Sequence, residues 1–120
     1  MKVLLADDST DLADMIGMIL RENGCEVTIV CNGQQVLDHP ALSSFDIIVM
    51  DVQMPIMDGL TATKRLRENG CSIPILACTG MPDAGIEEWV ISAGCSSYIQ
   101  KPIDFELFLP LVARLGSGHG

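Results

Sequence analysis

Basic residues are scarce in this chain. Lysine and arginine total only seven against sixteen acids, a formal charge of -9. The seven form no cluster, which argues against direct nucleic-acid binding. Long apolar runs are missing too. None approaches the roughly 18 residues of a membrane span, and the N-terminus shows no charged-then-apolar pattern ending in a cleavage site. A cytoplasmic protein without membrane insertion is therefore expected. The five cysteines, Cys25, Cys31, Cys71, Cys78 and Cys95, lack any CxxC or Cys/His metal spacing. They are expected to be reduced and mostly buried, as small hydrophobes. His39 and His119 have no metal-ligand company. Aromatics are few, with one tryptophan, Trp89, and one tyrosine, Tyr98.

What is present suits one domain. A chain of 120 residues with 48% hydrophobic content can build a single two-sided core around a sheet. The organising stretch is Ile47-Ile48-Val49-Met50, which reads as a buried strand and runs straight into Asp51. A second apolar run, Val3-Leu4-Leu5-Ala6, ends in Asp7 and Asp8. In parallel sheets flanked by helices, ligands bind at the carboxyl ends of strands. Adjacent strands would thus gather three carboxylates, and three like charges in one pocket call for a cation.

Taken in order, strand one is Lys2 to Ala6, and the Asp7-Asp8-Ser9-Thr10 turn leads to a first helix. That helix carries Leu12, Met15, Ile16, Ile19 and Leu20 at helical spacing and closes at Asn23-Gly24. Strand two spans Cys25 to Val30. A second helix, Gln34 to Leu42, should be short or kinked because Pro40 lacks a donor. Strand three spans Phe45 to Met50, and Asp58, placed directly before a helical pattern, reads as the N-cap of a third helix running to Glu68 and ending at Asn69-Gly70. Strand four is Ile73 to Cys78. After a loop from Thr79 to Asp83, a fourth helix has Ile86, Val90 and Ala93 inward, and Ala93-Gly94 marks its end. Strand five is Ser97 to Gln100. Asp104 caps a fifth helix to about Leu115, interrupted at Pro110. Five strands alternating with five helices imply an α/β fold, a parallel sheet covered on both faces.

Asp7-Asp8, the Asp51-Val52-Gln53-Met54-Pro55 run with Asp58-Gly59, Thr79, and Lys101-Pro102 resemble, in that order, the receiver domain of two-component response regulators. The resemblance covers nearly the whole chain, with residues 1–115 as the receiver and 116–120 as a flexible Gly/Ser tail. It implies a single doubly wound, flavodoxin-like domain with strand order 2-1-3-4-5, which places the switch point between strands one and three. It also implies a phosphorylation-dependent signalling switch. Asp51 would accept a phosphoryl group from a sensor histidine kinase or a histidine phosphotransfer protein, with Mg2+ (or Mn2+) as cofactor. Asp8, Asp51 and the Gln53 carbonyl would hold the cation directly and Asp7 through water, an oxygen set that suits magnesium. Lys101, Thr79 and the backbone around Gly80 would bind the phosphoryl oxygens. The Lys101-Pro102 bond is implied to be cis, and Gln53 and Met81 to flank the approach of hydrolytic water. Tyr98 would turn inward as Thr79 moves and alter the surface of helix four, strand five and helix five for a downstream protein. The plain alternative is a static tyrosine with its ring buried and its hydroxyl wet.

Three features depart from the family pattern: Gly80 where alanine is usual, and Pro40 and Pro110 inside helices. Trp89 stands on the flank of helix four, where similar receivers carry a polar residue. It would either cover the strand-five edge or offer a partner surface. The oligomeric state is left open. A haloacid-dehalogenase-like aspartyl phosphatase would carry a second Asp at position 53, where this chain has Gln53. A flavodoxin-like carrier would need a Ser/Thr/Gly-rich first loop and aromatics for a flavin. The Asp51-to-Gly59 wording resembles receivers of hybrid sensor kinases or phosphorelay intermediates, while Met1 directly before strand one suits a free-standing regulator. Either way the protein would be a signalling phospho-acceptor that assists its own phosphorylation and dephosphorylation, rather than an enzyme acting on other substrates.

Overall fold

The computed structural model describes residues 1–80 and 85–117. Five parallel strands form one sheet in the order β2-β1-β3-β4-β5. They are β1 (Lys2–Ala6), β2 (Glu26–Val30), β3 (Ile47–Asp51), β4 (Ile75–Thr79) and β5 (Ser97–Gln100). The helices between and after them are α1 (Thr10–Glu22), α2 (Gly33–Leu37), α3 (Gly59–Glu68), α4 (Ile86–Ala93) and α5 (Phe105–Ser117).

Two cores follow from the alternation of strand side chains. Leu4, Ile48, Met50, Ile75 and Ala77 face α2, α3 and α4, whose Val36, Ala62, Leu66, Ile86 and Val90 close over them. Val3, Leu5, Ile47, Val49, Leu76 and Cys78 face α1 and α5, meeting Ile16, Leu20, Phe108 and Val112. The continuous apolar runs are thus explained: β3 and β4 are buried at every residue, as central strands covered on both faces must be.

The helix ends are built as their punctuation predicts. Asp58 accepts a hydrogen bond from the Thr61 N–H at 2.8 Å. Asp104 accepts from the Glu106 N–H at 2.9 Å. Gly24, Gly70 and Gly94 take positive φ just past α1, α3 and α4. Ser9 stands at the N-cap of α1 but makes no side-chain cap bond.

Several boundaries differ from expectation, each for a physical reason. The third and fourth strands start two residues later than their apolar runs suggest and end one residue later. Phe45 and Ile73 are buried without joining the ladder, while Asp51 pairs with Cys78 and Thr79 with Gln100. Both polar residues therefore sit inside strands. Helix α2 stops at Leu37, well before Pro40, and the chain continues through a short 3-10 turn at Leu42–Ser44. Beside that shortened helix, at the amino ends of the strands, Leu37, Pro40, Leu42, Leu66 and Ile73 line an open cleft of about 480 Å³. Helix α5 is not interrupted: it runs through Pro110, which is exposed, and on to Ser117. The tail expected from 116 thus begins inside the helix, with Gly116 buried against Met1. Cysteine burial is more mixed than expected, since Cys78 and Cys95 are buried, Cys25 and Cys71 half-buried, and Cys31 exposed.

Candidate phosphoacceptor site

The acids meet because β1 and β3 are neighbours in register, Ala6 beside Met50. Asp7, Asp8 and Asp51 each offer a carboxylate oxygen within 4.8 Å of the others. Asp7 and Asp51 are buried, at 3% and 6% exposure, whereas Asp8 is exposed. Backbone bonds fix the strand ends: the Asp7 N–H donates to the Val30 carbonyl at 3.0 Å and the Val52 N–H to the Cys78 carbonyl at 2.9 Å. The Ser9 N–H donates to Asp7 Oδ1 at 2.8 Å. An all-oxygen set of this kind suits a hard divalent cation of the magnesium type.

Lys101 reaches in from the turn after β5. Its ammonium lies 3.0 Å from Asp51 Oδ2 and 3.7 Å from Asp7 Oδ2. The Lys101-Pro102 peptide bond is cis, as expected, and the Lys101 N–H donates to the Thr79 carbonyl at 2.7 Å. The two strand ends are thereby tied together. Burial raises the Asp51 carboxyl above the ordinary range; the Lys101 hydrogen bond and charge pull it back, and the Asp7 charge pushes it up again. For Lys101 burial works downward, but the hydrogen bond and charge of Asp51, with the charge of Asp7, outweigh it and the ammonium is held more firmly than usual. Cys78, the register partner of Asp51, is pushed up to about 12 by burial and is an inert neutral thiol.

Thr79 is fully buried at the last position of β4. Residues two apart on a strand share a face, so Thr79 lies on the side of Ala77, and Ala77 is the register partner of Tyr98. Tyr98 is half-buried against the same core. Gly80 is exposed, and a Cβ added there meets none of the described residues within 4 Å. Met81, expected to flank the approach of water, lies outside the described residues. Gln53 is exposed, and its backbone N–H donates to Asp51 Oδ1 at 3.3 Å. Trp89 is 54% exposed. It faces α3, lining a cleft with Met54, Leu60 and Lys64.

Two supports of the site escaped the sequence reading. Gly59 is packed so tightly that a Cβ would stand 2.2 Å from the Asp51 carbonyl oxygen. Ile56 takes φ 68°, with the Met57 N–H donating to the Pro55 carbonyl at 2.7 Å, a tight three-residue turn. Nothing in the sequence around a β-branched isoleucine signals a left-handed backbone.

A doubly wound parallel sheet whose central strand ends in a buried aspartate, paired to a lysine after the last strand, defines the fold and its candidate site. Residues 3–113 match the family described as response regulator receiver domain, and the chain belongs to that family. It is 34% identical over 120 residues to hybrid signal transduction histidine kinase M of Dictyostelium discoideum, covering 94% of this chain and 5% of that protein. The chain thus spans a small fraction of that relative's length. Among solved structures, the Francisella response regulator 1452 receiver domain superposes with a TM-score of 0.93 at 27% identity, over 99% of this chain and 98% of that one. The receiver domain of sensor histidine kinase PA1611 from Pseudomonas aeruginosa PAO1 matches with a TM-score of 0.86 at 31% identity, over 97% of each chain. That structure has a magnesium ion coordinated in its active site cleft. Among the described residues of the present chain, no helix is long and apolar enough to cross a membrane.

Proposed function

We propose that this domain is a phosphorylation-controlled switch in which Asp51 accepts a phosphoryl group from the phosphohistidine of a sensor kinase or phosphotransfer protein in the cytoplasm. The observation that carries the reading is the position of Asp51: a buried carboxylate at a rigid strand end, 3.0 Å from the Lys101 ammonium and grouped with Asp7 and Asp8. In the transfer, the donor's P–N bond breaks, a P–O bond to Asp51 forms, and the histidine leaves as neutral imidazole after taking up a proton. Charge spreads over three equatorial oxygens in such a transfer. Lys101 is placed to neutralise one of them, and the hydroxyl of Thr79 and the backbone N–H of Gly80 to hydrogen-bond others.

Asp8, Asp51 and the Gln53 carbonyl would hold Mg2+ (or Mn2+) directly and Asp7 through water, and the cation would offset the repulsion between the carboxylates and the incoming phosphoryl group. Hydrolysis reverses the modification. Water forms the new P–O bond, the bond to Asp51 breaks, and inorganic phosphate leaves. Movement of Thr79 toward the phosphoryl group frees space on its face of the sheet, which Tyr98 enters. The change is thereby carried to the face of α4, β5 and α5, where Ile91 and Leu107 are 50% and 64% exposed for a downstream protein. Trp89 extends that surface toward α3. The likeness to a hybrid kinase supports a second reading, in which the domain is one receiver of a longer sensor kinase and passes its phosphoryl group onward.

Incubation with acetyl phosphate and Mg2+ tests the proposal. One acid-labile, hydroxylamine-sensitive phosphoryl group is expected, and Asp51→Asn should abolish it. Label that persists in the variant overturns the assignment.

A further inference from the structure

Trp89 stands beyond the packing needs of its own helix. Helix α4 is already fastened by Ile86, Val90 and Ala93, and more than half of the indole remains in water. An exposed tryptophan that contributes little to packing invites a local role. Its location supplies one: it lines a cleft of about 480 Å³ with Val52, Gln53, Met54, Leu60 and Lys64. Val52 and Gln53 are the two residues directly after Asp51, so the cleft begins just beyond the acceptor, and Gln53 is the residue that joins the two.

Among the described residues, two flanks of Asp51 are occupied. Lys101 stands 3.0 Å from Asp51 Oδ2 and 3.7 Å from Asp7 Oδ2, and Cys78 and Thr79 are buried on the adjoining strand, whereas Asp8 is exposed. Gln53 is exposed, and its flexible side chain stands where solvent meets the site. A water that hydrolyses an aspartyl phosphate must come from the solvent side, in line with the bond that breaks. Large apolar walls beside that approach reduce the waters positioned to attack and confine the long Gln53 side chain.

We propose that Trp89 is a positioning residue that lengthens the life of phosphorylated Asp51, by holding Gln53 across the water approach. The inference rests on the reading of Asp51 as phosphoacceptor and adds to it a residue, on a different element, that sets the reset rate. The chemistry is ordinary hydrolysis, with one P–O bond to Asp51 broken, one P–O bond to water oxygen formed, and inorganic phosphate released.

The test uses the full chain labelled with acetyl phosphate and Mg2+, freed of donor, with acid-labile phosphate followed in time. Trp89→Ala should shorten the half-life at least about threefold, and Trp89→Phe, which keeps an aromatic wall, should stay near the wild type. Gln53→Ala leaves the backbone carbonyl in place and should also shorten the half-life. The double variant should decay no faster than Gln53→Ala alone, because the indole acts through that side chain. A wild-type half-life in Trp89→Ala overturns the proposal, and so do effects that multiply in the double variant. Faster decay in Trp89→Phe equal to that of Trp89→Ala also counts against it. A wild-type protein that takes no label sinks the phosphoacceptor reading itself, and this proposal with it.

Discussion

Gly59→Ala should damage the site without touching a single reacting atom. The Gly59 N–H donates to the Val52 carbonyl at 2.9 Å, and its own carbonyl accepts from Thr63 Oγ1 at 2.8 Å, so the first turn of α3 is tied to the end of β3. A Cβ at this position would stand 2.2 Å from the Asp51 carbonyl oxygen, 2.8 Å from Met50 Cγ and 3.0 Å from the Asp51 carbonyl carbon. Real Cβ atoms essentially never come closer than 3.0 Å, so helix or strand must retreat by about 0.8 Å. Overpacking of this kind costs about 1–3 kcal/mol. If Asp51 moves, displacement on the order of 1 Å at the nucleophile costs on the order of 100-fold in rate. Urea denaturation reads the first effect and the initial rate of labelling by acetyl phosphate the second. Gly80→Ala is the comparison, because a Cβ there meets none of the described residues within 4 Å, and it should fold with undiminished stability. A Gly59→Ala protein with the wild-type urea midpoint and labelling rate would refute the reasoning. Lost stability with an unchanged rate would show that α3 yields and Asp51 does not.

Ile56→Gly should raise stability by about 0.5–1 kcal/mol, because φ 68° strains a β-branched residue more than glycine's extra unfolded-state entropy costs, and Ile56 is 83% exposed; a lower urea midpoint would contradict this. Arg67→Ala should cost about 2–3 kcal/mol, since the guanidinium serves the carbonyls of Gly94, Cys71 and Ile73 at 3.0, 2.9 and 2.8 Å, and Arg67→Lys should not restore it. Asp8→Asn should weaken Mg2+ binding in calorimetry yet leave the metal-free protein as stable or more stable, because it relieves the crowding of like charges; a clear loss of metal-free stability would make Asp8 chiefly structural. Exposed Cys31 should alkylate readily in the native protein at pH 8 while Cys78 resists. The Cys78 thiol is pushed up to about 12 from an ordinary 9.0, so its contribution to stability is complete below pH 9 and is lost as pH rises toward 12. Over that range the wild type should lose stability faster than Cys78→Ala, and parallel curves would contradict the assignment.

The chain by itself determined the order of elements, the two-sided sheet, and which residues could do chemistry. Runs such as Ile47 to Met50 can be satisfied only between two layers of helices, and carboxylates closing two such runs can only lie at a sheet edge. Asp58, Asp104, Gly24, Gly70 and Gly94 marked helix ends because capping and left-handed turns depend on a few local atoms. Tertiary structure alone decided the rest. Strands three and four reach Asp51 and Thr79 because ladder bonds to neighbouring strands continue past the apolar run. Helix α5 passes through Pro110, whose ring lies on the exposed side, so a local helix breaker was tolerated. Trp89 turned toward α3 because helix rotation is set by packing of Ile86, Val90 and Ala93. The tight approach of Gly59 to Asp51 and the left-handed turn at Ile56 arise where the connection from β3 to α3 is held against the packed core. No local pattern encodes a distance between segments that meet only once the core has formed.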